Sequence, residues 1–146
     1  MSLFCSDAFV SPLEVEAAVT RALVEDLGRA GDITSIATIP EDTSGRAVVV
    51  ARKPGVVSGL PLVEAAFRRL APAIQIAPHG RDGMAIGAGT KLMTIVGNAR
   101  AILSAERTAL NFLGHLSGIA TATAAFVARV AHTKARIICT DRKSVV

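Results

Sequence analysis

The sequence predicts an α+β fold, and two observations predict it. Signals for short strands cluster between Arg46 and Val96, and from Ala99 onward the hydrophobic period becomes helical. Strands first and helices later suggest a layer of each rather than an alternating βαβ chain. The 146 residues, 51% of them hydrophobic, suffice for one domain with its own core and exclude a disordered protein.

The first helix opens at Ser11-Pro12-Leu13-Glu14, where Ser11 can cap, Pro12 suits the first turn and Glu14 completes a capping box. Val15, Val19, Leu23 and Leu27 then form one apolar stripe, and Gly28 is a plausible stop. Residues 29–44 read as loop, broken by Gly31-Asp32, Pro40-Glu41-Asp42 and Ser44-Gly45. Val48-Val49-Val50 marks a strand that Pro54-Gly55 ends, with Val56-Val57 as a short continuation. A second helix begins at Pro61, buries Leu62, Ala65, Ala66 and Leu70, and stops before Pro72. Ile74 and Ile76 alternate as a strand, glycines punctuate 80–89, and Lys91 to Val96 forms another strand.

From Ala99, Ile102, Ala105, Ala109 and Phe112 line one helical face, widened by Leu103, Leu110 and Leu113. The predicted break lies near Ser117-Gly118, and a further helix runs from Ile119 to His132. Ala135 to Thr140 closes the chain as a strand with no partner in the sequence. A lone strand cannot satisfy its backbone groups, so the chain reads as stopping partway into a second structural unit.

Composition narrows the function classes. Aromatic residues are 3% of the chain, too few for a base-stacking single-strand binder, and the net charge of +4 is spread without a basic run. The excess fits an anionic partner of some kind and does not by itself mean nucleic acid. Cys5 and Cys139 form no CxxC pattern, which suits a reducing compartment. No formal charge occurs between Arg107 and Arg129, a span long enough for a bilayer, and it holds the GxxxG pair Gly114 and Gly118. Asn111, His115, Ser117, Thr121 and Thr123 oppose insertion, so two buried helices of a soluble cytoplasmic protein are expected instead.

No nucleophilic triad, Walker loop or metal-ligand spacing can be assembled from local motifs; His79 and His132 sit at element ends and His115 within a helix, packed. Two features carry more weight. Glu106-Arg107 interrupts an apolar helix, and a guanidinium fork there suits carboxylate or phosphate. Thr140-Asp141-Arg142-Lys143 follows the last strand, where α/β folds place ligand contacts.

Four motifs in order resemble one family. They are Glu25-Asp26-Leu27-Gly28 with Gly31-Asp32-Ile33-Thr34; Ala51-Arg52 with Gly55-Val56-Val57-Ser58-Gly59; Glu106-Arg107-Thr108-Ala109-Leu110-Asn111-Phe112-Leu113; and Ser117-Gly118-Ile119-Ala120-Thr121. Together they resemble quinolinate phosphoribosyltransferase, also called nicotinate-nucleotide pyrophosphorylase (carboxylating). The resemblance implies an N-terminal α/β sandwich domain, here residues 1–114, and the start of an incomplete C-terminal α/β barrel, here 115–146. It implies a Mg²⁺-dependent enzyme of NAD biosynthesis that joins quinolinate to phosphoribosyl pyrophosphate, giving nicotinate mononucleotide, pyrophosphate and carbon dioxide. It also implies a homodimer or higher homo-oligomer in which Arg107 reaches the neighbouring subunit's site, with Thr140, Arg142 and Lys143 as further substrate contacts.

This chain departs from the family's D-T-R-K-T motif in having Asp141 between Thr140 and Arg142. One extra residue in an extended strand turns the side chains after it to the opposite face. With the sequence ending at Val146, the barrel's metal ligands included in what would follow, the expectation is a shortened product with little or no transferase activity by itself. The alternative is a non-catalytic binding or lid module of a phosphoribosyltransferase-like assembly. A biotinyl or lipoyl carrier is disfavoured because Lys91, in Gly89-Thr90-Lys91-Leu92, lacks the expected neighbours.

Overall fold

In a computed structural model, which describes residues 10–138, four helices and five strands make an α+β arrangement. The helices are α1 (Pro12–Leu27), α2 (Ile33–Thr38), α3 (Leu60–Leu70) and α4 (Ala99–Val130). The strands are β1 (Ser44–Val50), β2 (Gly55–Val56), β3 (Gln75–Pro78), β4 (Ala85–Ile86) and β5 (Lys91–Asn98). An antiparallel sheet of order β1-β5-β3 carries the helices, while β2 and β4 pair as a separate ribbon.

The register explains the core. Ala47 faces Ile95, Val49 faces Met93, and on the other side of β5 the same two residues face Ile76 and Pro78. Directly paired residues share a sheet face, so this set forms the inner surface against the helices. The register slips between Val49 and Val50, whose partners are Met93 and Lys91. Leu92 is therefore an extra residue on β5, which lets Leu92 and Met93, adjacent in sequence, both be buried. Val15, Val19 and Leu23 of α1, Val63, Ala66 and Phe67 of α3, and Ile102, Ala105 and Ala109 of α4 complete this core.

Caps account for the helix starts. Ser11 Oγ accepts the Leu13 N–H at 3.3 Å, so the stripe predicted for the first helix is realised from Pro12. Gly59 precedes α3 in the left-handed region (φ 103) and has no side chain to cap with. A distant carboxylate does the work instead: Asp82 Oδ2 accepts the Gly59 N–H at 2.8 Å and Oδ1 the Leu60 N–H at 3.0 Å.

Four sequence expectations are corrected. The loop assigned to 29–44 contains α2, because Asp32 caps it by accepting the Ser35 N–H at 3.0 Å. The predicted break near Ser117-Gly118 is absent, and α4 runs unbroken from Ala99 to Val130. An interior glycine costs a helix only about 1 kcal/mol, and Thr121 Oγ1 donates to the Ser117 carbonyl at 2.7 Å, a bond within the helix. The second half of α4 is not buried in the chain: Ile119, Phe126 and Val127 are exposed. By length and composition α4 could cross a membrane, and only 6% of its most apolar window is buried. Lastly, residues 135–138 form no strand; Cys139 and Thr140, the rest of the predicted closing strand, lie outside the described residues.

Candidate functional site

The C-terminal turn of α1, the start of α2 and the first third of α4 meet at one corner. Asp32, set by its own capping role, accepts the Ser35 hydroxyl at 2.5 Å and the Ser104 hydroxyl of α4 at 3.0 Å. These bonds, the Ser35 hydroxyl first and its backbone N–H next, hold the Asp32 carboxyl below its ordinary pKa; the small desolvation cost opposes them. One helical turn beyond Ser104 stands Arg107. Its Nη1 donates to Asp26 Oδ1 at 3.2 Å, and Thr108 Oγ1 lies 3.5 Å from Asp26 Oδ2. A cleft of ≈ 380 Å³ opens here, lined among others by Asp26, Asp32, Thr34, Ser104 and Arg107.

The two members of the ion pair differ in exposure. The Asp26 side chain is 15% exposed and the Arg107 side chain 77%. Arg107 thus borders a cleft, as its place beside an apolar run suggested, while its guanidinium stands largely in solvent. Of the other predicted contacts, Thr140, Arg142 and Lys143 lie outside the described residues. His115 is exposed, contrary to the expected packing. It turns away from the core at the rim of a smaller cleft between α1 and α4. His79 Nε2 is bonded to Thr94 Oγ1 at 2.8 Å.

Sequence reasoning missed the parts of Asp26 and Asp32. One signal was available for Asp26. Glu25 and Asp26 occupy the last turn of α1, which holds no basic residue. Carboxylates are disfavoured at that end of a helix dipole, so an outside partner such as Arg107 was to be sought.

The remaining two motifs lock onto each other. Val56 N–H donates to Thr121 Oγ1 at 2.9 Å, and Ser58 N–H donates to Ser117 Oγ at 3.0 Å. Ser117 Oγ donates back to the Ser58 carbonyl at 3.2 Å. Ser117 and Thr121, one turn apart on α4, thereby pair the free edge of β2. Gly55 and Gly59 permit the approach: a Cβ would stand 2.6 Å from Thr121 Oγ1 at the first and 2.9 Å from Leu116 Cδ1 at the second. Beside this seam a groove of ≈ 530 Å³ has an apolar floor that includes Val49, Leu92 and Leu113, with Arg52 and Lys53 among its lining residues.

The profile of the quinolinate phosphoribosyl transferase N-terminal domain matches residues 32–117. The chain belongs to this family. As a quinolinate phosphoribosyl transferase N-terminal domain it resembles curated relatives from distant organisms. It is 38% identical over 119 residues to the chloroplastic nicotinate-nucleotide pyrophosphorylase (carboxylating) of Oryza sativa subsp. japonica, covering 82% of this chain and 32% of that protein. It is 38% identical over 133 residues to the nicotinate-nucleotide pyrophosphorylase (carboxylating) of Mycobacterium leprae, covering 88% of this chain and 47% of that protein. The solved nicotinate-nucleotide pyrophosphorylase of Francisella tularensis superposes with a TM-score of 0.81 at 32% identity, over 87% of this chain and 45% of that one. The chain therefore spans about a third to a half of the length of these relatives. The likeness in fold agrees with the α+β class and with an N-terminal sandwich domain.

Proposed function

We propose that the chain supplies the N-terminal part of a site that joins quinolinate to phosphoribosyl pyrophosphate, giving nicotinate mononucleotide, pyrophosphate and carbon dioxide. One observation carries this: Arg107 presents a side chain that is 77% exposed, at the mouth of a cleft, tied among the described residues to Asp26. An exposed pair of this kind contributes little stability. A guanidinium fork displayed outward suits a dicarboxylate held by a neighbouring subunit. In a homodimer Arg107 would engage one carboxylate of quinolinate, and Thr140, which precedes the extra Asp141, would add a hydroxyl to the same polyanion site; Arg142 and Lys143 follow Asp141 and would join it only if the chain restores their facing. Fixed cations stabilise the charge gathering on the departing pyrophosphate without reorganising. The mild basic excess then steers anionic substrates.

The family's Mg²⁺ finds no fit here: among the described residues no three His, Cys, Asp or Glu side chains converge. The ion would belong with parts of the enzyme beyond the described residues. A cytoplasmic setting goes with the two widely spaced cysteines, although the rice relative is named chloroplastic. A second reading, in which this chain is a lid without catalysis of its own, is favoured by the outward display of the Arg107 side chain.

Two measurements test the proposal. Titration of the ¹⁵N-labelled chain with quinolinate should shift resonances around Arg107, and Arg107→Ala should weaken that binding about tenfold or more. Equal binding by Arg107→Ala would refute the role. The chain alone, given quinolinate, phosphoribosyl pyrophosphate and Mg²⁺, should not reach roughly 1 s⁻¹; turnover at that rate would refute the lid reading.

A further inference from the structure

We infer that Asp26 is a positioning residue for substrate: it pre-orients Arg107 so that one edge of the guanidinium stays open for a carboxylate of quinolinate. This rests on the functional reading above.

The geometry is specific. Asp26 engages Arg107 only through Nη1, the nitrogen on the Cδ side of the guanidinium. The Nε–Nη2 edge, which makes a side-on fork with a carboxylate, has no partner among the described residues. A carboxylate that took this edge would spend the arginine on the fold; one that takes Nη1 leaves the fork free.

Asp26 is itself well placed to act as a fixed post. Its side chain is mostly buried while that of Arg107 is mostly exposed. Its second oxygen faces the hydroxyl of Thr108, a residue only 3% exposed. It also sits where a helix dipole disfavours an acid, in a turn that also carries Glu25. The pair is too exposed to repay that placement in stability. What it does supply is order: an arginine chain has much rotamer freedom to lose on binding, and Asp26 removes part of it beforehand. The second carboxyl of the ligand is then free for other cations.

The test uses the whole chain and two readouts. The first is ¹⁵N relaxation of the Arg107 Nε–H, which should report a restricted guanidinium in the unaltered protein and a freely moving one in Asp26→Asn. The second is the affinity for quinolinate, which should fall about three- to tenfold in Asp26→Asn and be partly restored in Asp26→Glu. Arg107→Lys keeps the charge beside Asp26 but lacks the fork, and should bind as weakly as Arg107→Ala. If the unaltered chain does not respond to quinolinate, or Arg107→Ala binds as well as it does, the functional reading falls and this inference with it. If Arg107→Ala loses binding while Asp26→Asn binds like the unaltered chain, or the Nε–H is equally mobile in both, only the positioning role of Asp26 is overturned.

Discussion

Thr121 Oγ1 accepts the backbone N–H of Val56 at 2.9 Å while donating to the Ser117 carbonyl at 2.7 Å. A strand edge is paired here by a helix side chain 65 residues away in sequence. Thr121→Val keeps the shape and removes the acceptor. It should destabilise the chain by about 1–2 kcal/mol, read as a lower midpoint in urea, whereas Thr121→Ser should retain most of the stability. A Val variant as stable as the unaltered chain would mean that water replaces the hydroxyl at no cost.

Asp82 is the cap that α3 lacks in its own sequence. Asp82→Ala leaves the Gly59 and Leu60 N–H groups without their acceptor and should cost about 1–2 kcal/mol. Asp82→Asn, which keeps an acceptor, should cost less. Thermal unfolding of the two variants side by side checks the order.

Gly59→Ala should be more damaging than its size suggests. The residue has φ 103, and the new methyl would stand 2.9 Å from Leu116 Cδ1. Backbone strain and the displaced leucine together should cost about 2 kcal/mol or more. A crystal structure or amide exchange along α4 near Leu116 would show the displacement.

Acid should weaken the corner built on Asp32. Its folded pKa lies below the ordinary value because the Ser35 hydroxyl, the Ser35 N–H and the Ser104 hydroxyl all favour the carboxylate. A lowered carboxyl pKa gives stability that is present above the unfolded pKa and is lost as pH falls through the folded one. The contribution should thus be complete at neutral pH and decline below about pH 4. Urea midpoints for the chain and for Asp32→Asn should differ at pH 7 and converge at the acid end; a constant gap would refute the linkage.

Arg107→Ala should leave the fold almost untouched, with a stability change within about 0.5 kcal/mol. Its guanidinium is largely in solvent and its one ion-pair bond is 3.2 Å long. Unfolding midpoints that match those of the unaltered chain, beside lost quinolinate binding, would separate a ligand-facing side chain from a structural one.

Much of the fold was legible because its signals are local. The stripe Val15, Val19, Leu23 and the alternation of Ile74 and Ile76 depend on period alone; α1 forms on the stripe, and β3 begins at Gln75, one residue after the alternation starts. The loop over α2 was misread because a helix of 6 residues has almost no period to show; only the Asp32 cap betrays it. The break expected in α4 failed because glycine is a weak signal inside a helix. Of the site, Arg107 was legible as a charge in an apolar run, and Asp26 was not, since its partner stands 81 residues away.

By itself the sequence determined the α+β class, the family through four short motifs, and the arginine in an otherwise uncharged run. Tertiary structure alone decided which motifs meet: Asp26 with Arg107, Asp32 with Ser104, Val56 with Thr121. The reason is that periodicity and capping act over a few residues, whereas hydrogen bonds between distant segments exist only once packing has brought their elements together.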